Sequence, residues 1–292
     1  MQNDRSPIFM LGIGCQKAGT SWLYDFLKNH DGVFLPTPKE LHVFDAMYRP
    51  DLFAEFYHAR RLEHAERGWR QKLRSRMRRE PKRGRHLRPI DLVRMIDNPS
   101  RYREYFVEMA QQAKVVGEIT PSYAALSGDD LRQIRDLMGT SFNMKIIVLL
   151  RDPVDRAFSA VRHFRRVNAN RFPHALRGDD NALFERLYDT PYIWERADYP
   201  RVIEDSVSVF GRANVHVEFF ERLFTQAAVR KICDFLRIAV RTAEFEKVVN
   251  PSPKPLELDE GLRRRARSAY SPIYDYCVEK FPDADLARLW QV

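Results

Sequence analysis

Cysteine is scarce in this chain. Its 292 residues include three, Cys15, Cys233 and Cys277, widely spaced and odd in number. That excludes a disulfide framework and a regularly spaced cysteine metal site. No apolar run approaches the ~20 residues that a membrane-spanning helix needs. The opening stretch Met1–Pro7 is short and polar, so no secretory signal is expected there, and free cysteines fit a reducing cytosol. No internal repeat and no linker divides the sequence, so a single domain over residues 1–292 is expected. With 44% apolar and 30% charged residues, the composition is that of a soluble globular protein large enough for one α/β core.

Positive charge is plentiful but local. Between Arg60 and Arg94 stand 14 Lys or Arg residues against Glu63, Glu66, Glu80 and Asp91, which accounts for the whole net charge of +9. Pro81, Gly84 and Pro89 interrupt this stretch, so it reads as a basic, broken helical insertion at about 58–96. Such a block is a solvated arm, an oligomer contact or a surface for an anionic partner. A nucleic-acid-binding role would require base-stacking aromatics among the cations. Trp69 is the only aromatic there, which argues against that role.

The rest of the chain alternates strand and helix. Phe9–Ile13, Val33–Leu35, Val115–Glu118, Lys145–Leu150 and Val215–Phe219 read as strands. Ser21–Asn29, Asp129–Met138, Pro153–Arg166, Tyr199–Phe210, Gln226–Leu236 and Asp259–Phe281 read as helices. The run Ile146–Leu150 is apolar without alternation, as in parallel sheets covered on both faces. Repeated strand–helix units imply an α/β fold: a three-layer sandwich around a mostly parallel sheet.

The most informative stretch is Gly12–Ser21, between the first strand and the first helix. A glycine-rich turn there aims backbone N–H groups and the positive end of the helix at an anion, usually phosphate. Gly14 and Gly19 fit the spacing of a nucleotide-kinase loop, but Thr20 stands where that loop has its lysine, and the lysine is Lys17, inside the turn. The displacement argues against ordinary ATP chemistry and for a different anhydride, with a P-loop kinase as the rival reading. No metal-ligand constellation is apparent.

Three motifs resemble the sulfotransferases that use 3′-phosphoadenosine 5′-phosphosulfate (PAPS). Gln16-Lys17-Ala18-Gly19-Thr20-Ser21-Trp22 is similar to their 5′-phosphosulfate loop. Lys145–Ser159 is similar to their 3′-phosphate motif. Lys39–Asp45 resembles the acceptor-side segment of the heparan sulfate type. Weaker echoes are Gly117–Tyr123 and Val217–Leu223. The resemblance implies a P-loop-like sulfotransferase fold, with PAPS as co-substrate, 3′-phosphoadenosine 5′-phosphate (PAP) as product and no metal. The acceptor would be a hydroxyl, less readily an amine, on a glycan, lipid or small metabolite.

By the same resemblance, Lys17 stabilises the leaving phosphate and Gln16–Ser21 hold the 5′-phosphate. Arg151 and Ser159 hold the 3′-phosphate, with Lys254 a further cation toward it. Trp22 either stacks on adenine or packs in the core. Glu40 or His42 is the base, with Glu118 a third candidate; heparan-type relatives often carry lysine at the Glu118 position. Animal Golgi members carry a membrane anchor, so the chain reads as a bacterial-type, cytoplasmic member.

Overall fold

The structure, a computed structural model, describes residues 6–51, 86–168, 176–245 and 257–292. Most of the basic insertion, and Lys254, therefore lie outside the described residues. Five strands form one sheet: β1 (Ile8–Gly14), β2 (Val33–Phe34), β3 (Val115–Ile119), β4 (Asn143–Leu150) and β5 (Val215–Phe219). Their order is β2-β3-β1-β4-β5, and every neighbouring pair is parallel. The main helices, in chain order, are α1 (Thr20–Lys28), α2 (Phe44–Tyr48), α3 (Pro89–Asp97), α4 (Ser100–Met109), α5 (Gly128–Met138) and α6 (Pro153–Asn168). They continue with α7 (Asp180–Leu187), α8 (Tyr199–Phe210), α9 (Gln226–Phe235), α10 (Glu260–Ala269) and α11 (Ser271–Lys280). The α/β sandwich expected from the alternation is the one observed.

Burial explains why the sheet is parallel and central. All seven residues of β1 are buried, and β4 is buried from Met144 onward. Each such Ile, Leu, Val or Phe contributes roughly 1.5–3 kcal/mol when fully buried. β3 passes so close to β1 that a Cβ on Gly117 would run into the Met10 carbonyl. β1 lies between β3 and β4, so the loop that leaves it opens at the carboxyl edge of the sheet, where open α/β sheets bind ligands.

One expected element is split. The closing helix does not run unbroken from Asp259 to Phe281; it ends at Ala269 and restarts at Ser271. Pro272 lacks an N–H and sits in the first turn of α11, where that loss costs nothing, whereas inside a continuous helix it would break the ladder.

Candidate active site

The loop after β1 is wound tightly. Cys15 N–H donates to the Leu149 carbonyl at 2.5 Å, tying the loop to β4, and Ala18 N–H returns to the Cys15 carbonyl at 3.2 Å. Lys17 takes a left-handed φ of 69° and Gly19 one of 88°. A side chain at Gly19 would also meet Leu223. α1 begins directly behind, with no side-chain cap on its N-terminus and no acid in its first turn. The first N–H groups of a helix have no partners within it, so this end is suited to an anion. Cys15 is fully buried, and burial pushes its thiol up to about 12, so it is a packing residue.

Lys17 is half-buried. Burial lowers its pKa, and the neighbouring charges of Arg166 and Arg151 lower it further while Glu40 opposes them. A lysine crowded by cations is electrostatically incomplete until an anion joins it.

Arg151, just past β4, reaches the same loop: its Nη1 donates to the Lys17 carbonyl at 3.2 Å, and its guanidinium lies 4.5 Å from the Phe220 ring centre. The sequence also allows a surface pair between Arg151 and Asp155, but Asp155 binds Arg263 at 2.9 Å. Asp152 caps α6 by accepting from Asp155 N–H at 2.8 Å, as its place before Pro153 predicts. Ser159 follows, half-buried, two turns into α6.

Sequence reasoning missed two neighbours. His163 and Arg166 follow Ser159 by four and seven residues, on one face of α6. Arg166 Nη2 donates to His163 Nδ1 at 3.0 Å. Burial lowers the His163 pKa, and Lys17 and Arg166 act in the same direction against Glu40. The helical phase was legible, but nothing in the sequence shows that these charges act on Lys17.

Trp22 is buried. Its ring is nearly parallel to Phe26 and to Phe245, with centroids 5.7 and 6.0 Å away. It also lines a cleft of about 240 Å³ with Phe26, Asn29, Arg241, Thr242 and Glu244. Both readings of this tryptophan thus have a structural counterpart.

The acceptor-side segment lies against the loop. Lys39 Nζ donates to Thr20 Oγ1 at 3.3 Å and to Glu40 Oε1 at 2.6 Å. Glu40 Oε2 lies 3.4 Å from His42 Nε2, and His42 Nδ1 lies 2.6 Å from Asp45 Oδ2. Ser122 also donates to that Asp45 oxygen. The Glu40 side chain is 36% exposed and that of His42 only 11%, so Glu40 is the one that a substrate can reach.

Burial works to raise the Glu40 pKa, but His42 and Lys39 outweigh it and hold the carboxyl down to about 2. Burial likewise opposes a charged His42, yet Asp45 and Glu40 raise it to about 9. At neutral pH the pair is carboxylate and imidazolium. Glu118 is buried and accepts from three hydroxyls, with no open face toward the crevice.

A pH effect follows from the shifts. His42, raised from 6.5 to about 9, contributes stability that is fully present below its unfolded pKa and lost as pH climbs through about 9. Glu40, lowered from 4.5 to about 2, contributes stability that is present above its unfolded pKa and lost as pH falls toward about 2. Melting temperatures should therefore decline from pH 6.5 to 9, and His42→Asn should flatten that decline. An equal alkaline decline in His42→Asn would contradict the charged-pair assignment.

Among the described residues, no His, Cys, Asp and Glu group is arranged to hold a metal ion, and no helix is long and apolar enough to cross a membrane. The model of the sulfotransferase family matches residues 7–242. The chain belongs to the sulfotransferase family.

Its fold is shared with a solved sulfotransferase, and others are similar more loosely. The sulfotransferase from Alicyclobacillus acidocaldarius is 22% identical, covering 99% of this chain and 97% of its own, with a TM-score of 0.54. The sulfotransferase domain of the Synechococcus PCC 7002 olefin synthase is 19% identical, over 92% of this chain and 90% of its own, with a TM-score of 0.46. Mouse sulfotransferase SULT7A1, solved in complex with PAP, is 16% identical, over 100% of this chain and 89% of its own, with a TM-score of 0.45. No curated protein matches the sequence significantly. Membership makes the chain a transferase of sulfuryl groups.

Proposed function

We propose that this sulfotransferase takes its sulfuryl group from PAPS and moves it, in line, to a hydroxyl acceptor. The observation that carries the reading is the bond from Arg151 to the Lys17 carbonyl, because it joins the two nucleotide motifs at one edge of the sheet. Gln16, Ala18, Gly19, Thr20 and Ser21 then hold the 5′-phosphate at the head of α1. The Arg151 fork and the Ser159 hydroxyl take the 3′-phosphate. Trp22 and the 241–244 stretch border a cleft beside α1 that suits adenine.

Lys17 stands where charge develops on the bridging oxygen as the S–O bond breaks, and stabilises it. Lys39 is a second cation at that end of the donor, within hydrogen-bond reach of Thr20. Glu40 takes the acceptor proton. His42 is charged and locked by Asp45, so its role is to orient Glu40 rather than act as base. Donor oxyanions that draw Lys39 away from Glu40 would leave the carboxylate more basic.

The far end of the basic insertion returns beside this segment: His86 bridges to Thr37, and Leu87 N–H donates to the Thr37 carbonyl at 2.6 Å, two residues from Lys39. That supports an acceptor-side place for the insertion and an anionic acceptor, such as a charged glycan or lipid headgroup.

The donor assignment is tested by thermal shift. PAP is expected to stabilise the protein more than ATP with magnesium at equal concentration. Greater stabilisation by the ATP complex would contradict the reading and favour kinase chemistry.

A further inference from the structure

The turn that follows β3 grips the acceptor-side segment with three side chains. Thr120 Oγ1 accepts from Leu41 N–H at 3.0 Å. Ser122 donates to Asp45, the partner of His42. The Tyr123 hydroxyl accepts from Val43 N–H at 3.1 Å and from Phe44 N–H at 3.4 Å. Phe44 in turn packs against Tyr102 and Tyr123, with ring centroids 4.7 and 5.6 Å away. Residues 41–45 are thus moulded onto the turn, and Glu40 hangs from the end of the moulded stretch.

Beneath the turn lies Glu118, 1% exposed. Thr120 Oγ1 donates to its Oε2 at 2.6 Å, and Tyr123 and Tyr102 donate to its Oε1 at 3.0 and 2.6 Å. Burial raises its pKa, and these hydroxyls oppose the rise. A carboxylate is an acceptor only. It therefore fixes the direction of each hydroxyl: the hydrogens of Thr120 and Tyr123 point down to Glu118, and their lone pairs point up to the backbone of the catalytic segment.

We propose that Glu118 is a positioning residue which, through Thr120 and Tyr123, sets where Glu40 and His42 stand relative to the donor loop. The proposal rests on the reading of Glu40 as the proton acceptor. It explains why a carboxylate is kept in the core, where burying a charge is costly. It also gives Glu118 a part in the reaction without contact to either substrate.

The test uses the full chain, radiolabelled PAPS, and a panel of glycan, lipid and phenolic hydroxyls with water alone as one member. Glu118→Gln keeps the volume but puts an amide donor against hydroxyl donors. Thr120→Val keeps the shape and removes the relay to Leu41, and Thr120→Ser restores the hydroxyl. Glu118→Gln and Thr120→Val should lower kcat by on the order of 10²-fold, the cost of a small misplacement of a reacting group. PAP affinity should be unchanged in both, and Thr120→Ser should recover most of the rate.

Should Glu118→Gln fail to fold, the Thr120 pair carries the test alone. Folded Thr120→Val with wild-type kcat, beside an inactive Glu40→Gln, would overturn the positioning role. A Glu40→Gln protein at full rate would instead overturn the base assignment on which the role rests. Equal loss in Thr120→Val and Thr120→Ser, or a parallel loss of PAP affinity, would reduce the turn to general architecture.

Discussion

Lys17→Ala is expected to lower sulfuryl transfer by ~10²–10³, the typical loss when one preorganised charge-stabilising group is removed. Two features make the substitution informative. Lys17 already occupies the left-handed region at a φ of 69°, and lysine and alanine both carry a Cβ there, so the exchange leaves the backbone strain nearly unchanged. The loop is also tied down by contacts that the Lys17 side chain does not make, from Cys15 to Leu149 and from Ala18 to Cys15. What disappears is the ammonium, held below its ordinary pKa by burial and by Arg166 and Arg151. An unchanged melting temperature with a collapsed rate is the expected pair of results. Near wild-type turnover would remove Lys17 from the chemistry.

Arg151→Ala is expected to weaken PAP far more than adenosine 5′-phosphosulfate. Only PAP carries the 3′-phosphate, so the difference between the two ligands isolates that contact. A hydrogen bond to a charged group is worth roughly 1.5–3 kcal/mol, about 10- to 150-fold in affinity. The comparison matters because Arg151 also binds the Lys17 carbonyl, and loss of that bond would disturb the loop for both ligands. Equal losses in calorimetry would assign Arg151 to the loop alone.

Much of this was legible along the chain because it is written in local pattern. Tyr199–Phe210 and Val215–Phe219 run between the residues that their periodicity marks. β1 and β4 extend the expected strands by one or two residues. The loop could be found because glycines between an apolar strand and an amphipathic helix leave few other readings. The split of the closing helix was signalled by Pro272, but the apolar period continues across it.

The site was legible only in pieces. Glu40 and His42 stand two apart in sequence, and their meeting follows from that spacing. Lys39 bridges Thr20 and Glu40, and its link to Thr20 spans 19 residues that only the folded sheet brings together. Glu118 reads as a polar strand end beside a crevice. Its burial beneath Thr120 and Tyr123 depends on Tyr102, which comes from another helix. The echo at Gly117–Tyr123 marked the right residues without showing what they hold.

The most direct test of the account is to incubate the protein with radiolabelled PAPS and the hydroxyl panel, with Lys17→Ala alongside. The account predicts that label leaves PAPS and appears on an acceptor, that PAP accumulates in equal amount, and that Lys17→Ala transfers little. PAPS left intact with every acceptor class, or label moved equally well by Lys17→Ala, would contradict it.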